Sequence, residues 1–192
     1  MVDARGHGRS GGRAMDFGWY GDQDVAAAVS FLIAQPDVDP ARIAAIGMSM
    51  GGEEAIGAAA SDSRIRAVVA EGATNRVTAD KAWLSDEFGW RGTVQRGVEW
   101  LVYKTADVLT DAGQPISLRD AAAAAAPRPM LLIAAGGVAN EAKAGRYIQA
   151  GAPASVELWI VPDTGHTAAL DTHPEEWEQR VTSFLAVALE GG

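Results

Sequence analysis

Between Arg42 and Ala60 the chain passes abruptly from one kind of backbone to another. Arg42-Ile43-Ala44-Ala45-Ile46-Gly47 is a short apolar run that reads as a buried strand. Met50 to Ala60 is rich in alanine and glycine and reads as a helix suited to close packing. The junction is Gly47-Met48-Ser49-Met50-Gly51, a Gly-x-Ser-x-Gly pattern. A strand that turns straight into a helix holds its corner residue in a strained conformation. Side chains two residues to either side would collide there, so the pattern predicts that glycine is required at both 47 and 51. Gly52 leaves further room for the helix to approach the sheet. Ser49 then stands at the carboxyl end of a strand, where open α/β sheets place their ligands. The helix N-terminus points at the same spot and favours negative charge.

Three more runs read as strands. Ile65 to Ala70 and Met130 to Ala135 are apolar throughout, while Val156 to Val161 alternates and fits a place nearer the sheet edge. Helices are predicted between and around them: Asp22 to Gln35, the stretch after Gly137 through Ala150, and Pro174 to Leu189. Thr172 with Glu175 has the spacing of a capping box for the last. Such alternation implies an α/β protein with a mostly parallel sheet flanked by helices, in a single domain over residues 1–192. Residues 73–126 break the rhythm. They lack a convincing strand and hold Trp83, Phe88, Trp90, Trp100 and Tyr103, with predicted helices over Thr93–Leu109 and Ser117–Ala126. This stretch is expected to form a helical cap or lid; the other reading is a helical excursion with its tryptophans in the core.

Charge and cysteine count exclude several function classes. The formal net charge of −9 repels phosphate backbones and anionic lipid, so neither nucleic acid nor a membrane surface is an expected partner. With no cysteine there is no disulfide, thiol nucleophile or thiolate metal site. No apolar run has the length of a membrane span. Met1-Val2-Asp3-Ala4-Arg5-Gly6 lacks the apolar centre of a secretory signal, which leaves the cytoplasm as the default compartment.

A serine nucleophile needs a base. Of the three histidines, His166 follows the Val156–Val161 strand within Pro162-Asp163-Thr164-Gly165-His166, at the end of the sheet where Ser49 is expected. His173, beside Pro174, reads as a surface residue. His7, in a glycine-rich turn, reads as structural.

Taken together these motifs resemble the α/β-hydrolase superfamily. Asp3-Ala4-Arg5-Gly6-His7-Gly8-Arg9-Ser10-Gly11 looks like its Asp-x-Arg-Gly-x-Gly-x-Ser turn. Asp37 to Ile43 resembles the dienelactone-hydrolase and prolyl-oligopeptidase-like branches, and Pro129 to Gly136 resembles the strand before the family's catalytic acid. The resemblance covers essentially the whole chain. It implies a triad whose acid is usually an aspartate in a Gly-x-x-Asp turn. Counting from Gly137, that place holds Asn140, with Glu141 beside it. An asparagine orients an imidazole but does not offset its charge, so Glu141 is the expected acid and Glu71, at the end of the Ile65 strand, the runner-up. In the family, two or three strands precede the Asp-x-Arg-Gly turn, and a loop among them gives the oxyanion hole one N–H. Here the chain starts at the turn, so the expectation is an N-terminally truncated version that retains only the other donor, Met50. An edge strand left open by such a truncation is an expected surface for a homo-oligomer. The resemblance implies a serine carboxylesterase acting on a small-molecule ester with Ser49, His166 and Glu141, and no metal or organic cofactor. Peptidases, thioesterases and perhydrolases share the same elbow. The rival class is a non-catalytic, truncated scaffold used in binding or assembly.

Overall fold

All four apolar runs are strands in the computed structural model, which describes residues 3–12 and 16–190. Met1 and Val2, at the start of the segment searched for a signal, lie outside them. The strands are β1 (Ile43–Met48), β2 (Ile65–Glu71), β3 (Met130–Ala135) and β4 (Val156–Val161). They lie side by side in chain order, and every neighbouring pair is parallel. Crossovers between adjacent parallel strands are right-handed, so the connecting helices fall on one face of the sheet.

That face carries α1 (Gly21–Ile33), α2 (Met50–Ser61), α5 (Leu118–Ala125) and α6 (Glu141–Gln149); α3 and α4, which lie between α2 and α5 in sequence, are described below. Ile56 of α2, Leu118 of α5 and Ile148 of α6 meet Ile65, Val68, Met130 and Val156 from the strands. Burying each such large aliphatic side chain is worth roughly 1.5–3 kcal/mol. The opposite face is covered by α8 (Pro174–Glu190), entered through the four-residue turn of helix α7 (Ala169–Thr172). Val181, with Trp177, Phe184 and Leu185, packs there on Val69, Leu131, Ile133 and Trp159. The capping box expected from Thr172 and Glu175 is not formed. The Thr172 hydroxyl donates back to the Ala168 carbonyl because the residues before it are already helical.

Residues 73–126 divide in two. Ser117 accepts the Asp120 N–H at 3.1 Å and starts α5, whose Leu118, Ala121, Ala122 and Ala125 belong to the main core. The earlier part folds as a 3₁₀ turn (Thr78–Lys81), α3 (Trp83–Phe88) and α4 (Trp90–Leu109). Tyr103 and Ala106 tie α4 down against Trp19. Trp90 and Trp100 are not core residues: Trp90 is 73% exposed, and Trp100 also faces outward. Among the described residues no helix is long and apolar enough to cross a membrane.

Candidate active site

Ser49 sits between β1 and α2 with φ 53° and ψ −124°, a conformation that costs a residue with a side chain about 1–3 kcal/mol. The surroundings hold it there. Its N–H donates to the Glu71 carbonyl of β2 at 2.7 Å, and its carbonyl accepts from Gly52 and Glu53 as α2 begins. A Cβ on Gly47 would overlap the Gly51 carbonyl, so glycine is required at 47. Gly51 departs from expectation: a Cβ there meets nothing within 4 Å, because the first turn of α2 directs it away from the strand. The second constrained glycine is Gly52, where a Cβ would lie 3.1 Å from the Gly47 carbonyl and 3.2 Å from Ala70 Cβ. Met50 opens α2, so its N–H is one of those that a helix leaves without an internal acceptor.

His166 and Glu141 reach this corner from the ends of β4 and β3. Gly136 N–H donates to the Val161 carbonyl at 2.8 Å, and Gly137 N–H to the Thr164 carbonyl at 3.0 Å. These bonds stitch the turn after β3 to the loop after β4. His166 Nε2 lies 2.9 Å from Ser49 Oγ, and Nδ1 lies 2.8 Å from Glu141 Oε2. The other Glu141 oxygen accepts the Ala135 N–H at 2.7 Å, and the residue is only 2% exposed. A carboxylate only accepts, so Nδ1 carries the imidazole proton and Nε2 is left to accept from the serine hydroxyl. Ser49 Oγ, His166 and Glu141 thus form one continuous hydrogen-bonded chain across three strand ends.

The alternatives are placed elsewhere. Asn140 is exposed and adopts a left-handed turn, φ 74°, immediately before α6. Asp163 is also exposed in a left-handed turn, φ 50°. His7 contacts the Arg5 carbonyl within the glycine-rich turn, where Asp3 accepts the Arg9 N–H. His173 precedes α8 and is half-buried. Glu71 is 3% exposed and faces α8: one oxygen accepts the Ala169 N–H and the other the Trp177 indole N–H, both at 2.9 Å. It therefore clamps the segment that follows His166. Gly72, next to it, has φ +72°, and a Cβ there would lie 2.7 Å from the His166 ring.

One residue that sequence reasoning passed over supports the corner from below. Glu53, in the first turn of α2, accepts the backbone N–H groups of Thr74 and Asn75, each at 3.0 Å. Burial raises its carboxyl above the usual range, against the lowering effect of those bonds. The available signal was a charged residue inside an alanine-rich, otherwise buried helix. Thr74 and Asn75 in turn line a cavity of about 300 Å³ beside His166, with Trp83, Leu84, Val138 and Ala139 on its walls. Of the tryptophans in residues 73–126, Trp83 lies on this cavity and Trp90 and Trp100 do not. Lys81 at its rim is paired with Glu99 of α4 at 2.6 Å. Among the described residues no cluster of three or more His, Asp or Glu side chains is arranged to hold a metal ion.

A parallel sheet with helices on both faces, and a strained serine at the end of β1 within reach of a histidine after β4, define an α/β-hydrolase. Residues 1–180 match the sequence model of the alpha/beta hydrolase family, and the chain belongs to that family. It is accordingly a hydrolase. The structure is similar to that of the Pyrococcus furiosus esterase Pf2001, at 26% identity and a TM-score of 0.67 over 95% of this chain and 67% of that one. It also resembles the alpha/beta hydrolase GrgF from Penicillium sp. sh18, at 17% identity and a TM-score of 0.68, covering 97% and 78% of the two chains. A third similar structure is an E-2-(acetamidomethylene)succinate hydrolase, at 19% identity and a TM-score of 0.59, covering 95% and 79%.

Proposed function

We propose that this chain is a serine carboxylesterase that cleaves small esters through an acyl-enzyme on Ser49. The observation that carries the reading is the pair of contacts on one imidazole, Nε2 to Ser49 Oγ at 2.9 Å and Nδ1 to Glu141 at 2.8 Å. In the first half-reaction Ser49 Oγ attacks the ester carbonyl carbon as its proton passes to His166 Nε2. Charge builds on the carbonyl oxygen, where the Met50 N–H and the N-terminal turn of α2 stabilise it. The intermediate collapses with cleavage of the ester C–O bond, and Nε2–H protonates the departing alkoxide. In the second half, water gives its proton to Nε2, attacks the acyl carbon and releases the acid, restoring Ser49. The buried Glu141 carboxylate offsets the positive imidazole in both halves.

The cavity beside His166 suits an apolar group of short to medium length, since Trp83, Leu84, Val138 and Ala139 present carbon to it. The esterase among the similar structures supports ester chemistry. A non-catalytic scaffold is disfavoured, because a left-handed serine held against a histidine serves no purpose in packing. The test is hydrolysis of p-nitrophenyl acetate, butyrate and octanoate by the wild type and by Ser49→Ala. The wild type should turn over the shorter esters, and the variant should lose at least about 10⁴-fold in kcat/KM. Equal rates in the two proteins would overturn the proposal.

A further inference from the structure

The long helix α4 has two faces of opposite design. Gly92, Tyr103 and Ala106 are buried against the body, and Glu99 on the same side reaches Lys81. A helix with one dry side ordinarily turns charge to the water. Here the outward side carries Val94, Val98, Leu101, Thr105 and Val108, flanked by the exposed Trp90, Trp100, Val102 and Leu109, and Val98 and Leu101 are each 60% exposed. These positions advance by four, three, four and three residues, the seam spacing that fits a second helix; an apolar surface imposes no such repeat. Thr105 is the polar exception, and its hydroxyl is already satisfied by the Leu101 carbonyl at 2.7 Å.

Two further features point to a helix partner. Gly97 lies beside the seam near mid-helix, and a Cβ there meets nothing within 4 Å, so packing within this chain gives no reason for glycine. Glycine in a helix interior costs about 1 kcal/mol against alanine, and what it offers is close approach of another backbone. Charge then sets the direction. Arg91 stands at the start of α4 and Asp111 just past its end, while Asp107 in the last turn is already paired with Lys104 at 3.1 Å. Parallel pairing would set Arg91 against Arg91 and acid against acid. Antiparallel pairing brings each Arg91 to the acidic end of the other helix and opposes the two helix dipoles.

We propose that α4 is a self-association surface, on which two copies of this chain pair antiparallel about a twofold axis near Val98 and Leu101. Val98 of one copy then faces Leu101 of the other, and Val94 faces Thr105. The interface is distinct from the open edge of β1 and rests on no assumption about catalysis. It places the partner on the outer side of the helix whose inner side holds Lys81 at the cavity rim.

Sedimentation velocity of the full chain over the micromolar range tests this. The wild type should shift with concentration from the monomer mass to twice that mass, and Val98→Glu/Leu101→Glu should remain monomeric with unchanged circular dichroism. Gly97→Gln should weaken association at least tenfold without lowering Tm, since the monomer has room for the side chain. Arg91→Glu should weaken it too, and adding Asp111→Arg should restore it. A wild type that stays monomeric would overturn the proposal. So would a dimer that survives the double glutamate variant, which would place the interface elsewhere, the β1 edge included. Co-sedimentation of a monomeric wild type with phosphatidylcholine vesicles, lost in that variant, would overturn it in favour of a lipid surface.

Discussion

Two buried glutamates flank the His166 loop, and they are alike in all but one contact. Glu71 ends β2 and Glu141 follows β3; each is almost fully buried, and each gives one oxygen to a backbone N–H, of Ala169 and Ala135 respectively. The second oxygen separates them. In Glu141 it reaches His166 Nδ1, and in Glu71 it takes the indole N–H of Trp177 on α8. The same residue type, at neighbouring strand ends and in equally dry surroundings, is aimed at the histidine in one case and at the frame in the other. Burial alone therefore does not tell the two carboxylates apart; the partner of the second oxygen does.

Replacing each glutamate by glutamine should pull these roles apart. The larger effect is expected for Glu141→Gln. Its single oxygen must keep the Ala135 N–H, which turns the amide NH₂ toward Nδ1. The imidazole then carries its proton on Nε2 and cannot accept from Ser49. Ester hydrolysis should fall by about 10³–10⁴ in kcat with little change in Tm; a loss of less than tenfold would remove Glu141 from the reaction.

Glu71→Gln should reverse that balance. One of the two N–H groups loses its acceptor, costing about 1–3 kcal/mol of stability, while kcat falls only as far as the His166 loop loosens. Adding Trp177→Phe removes the competing donor, so the glutamine oxygen is free for Ala169. The double variant should recover kcat relative to Glu71→Gln alone. If it does not, Glu71 does not act through the loop.

The smallest effect is expected at a third carboxyl, which has no partner for one of its oxygens. Glu54 Oε1 is buried without a hydrogen bond, and burial is the main reason its carboxyl is pushed up to about 7. Arg76 pulls the other way, and Asp22, Asp24 and Glu53 add to the rise. The folded state thus keeps this proton where an unfolded chain, with the ordinary value of 4.5, releases it. The stabilisation is complete below the ordinary value and is lost as pH rises through about 7. Glu54→Gln should flatten the dependence of unfolding free energy on pH between 5 and 8, by less than about 1 kcal/mol after solvent screening. A dependence as steep as in the wild type would assign it to other groups.

Much of this architecture is legible in the sequence. The four strands and the helices between them follow from short β-rich runs set against longer periodic ones. Ser49 and Glu141 are each brought within hydrogen-bonding distance of His166. The readings that failed were local ones. Gly51 looked indispensable because the pattern is symmetric about Ser49, yet the turn is not: on one side a strand must clear the Gly51 carbonyl, and on the other a helix already points its side chain outward. Thr172 and Glu175 had the spacing of a cap, but a short helix before Pro174 had taken the Thr172 hydroxyl. The tryptophans of residues 73–126 fit a core equally well by pattern, yet Trp90 and Trp100 are exposed and Trp83 lies on the cavity.

The positions of the strands along the chain and the strained corner at Ser49 were determined by the sequence itself, because hydrophobic period and glycine placement are properties of neighbours along the chain. Which glutamate faces the histidine was decided by tertiary structure. Glu71 and Glu141 are 70 residues apart, and their roles depend on which donor the loop after β4 and helix α8 present to each, a matter of a few ångströms between segments distant in sequence.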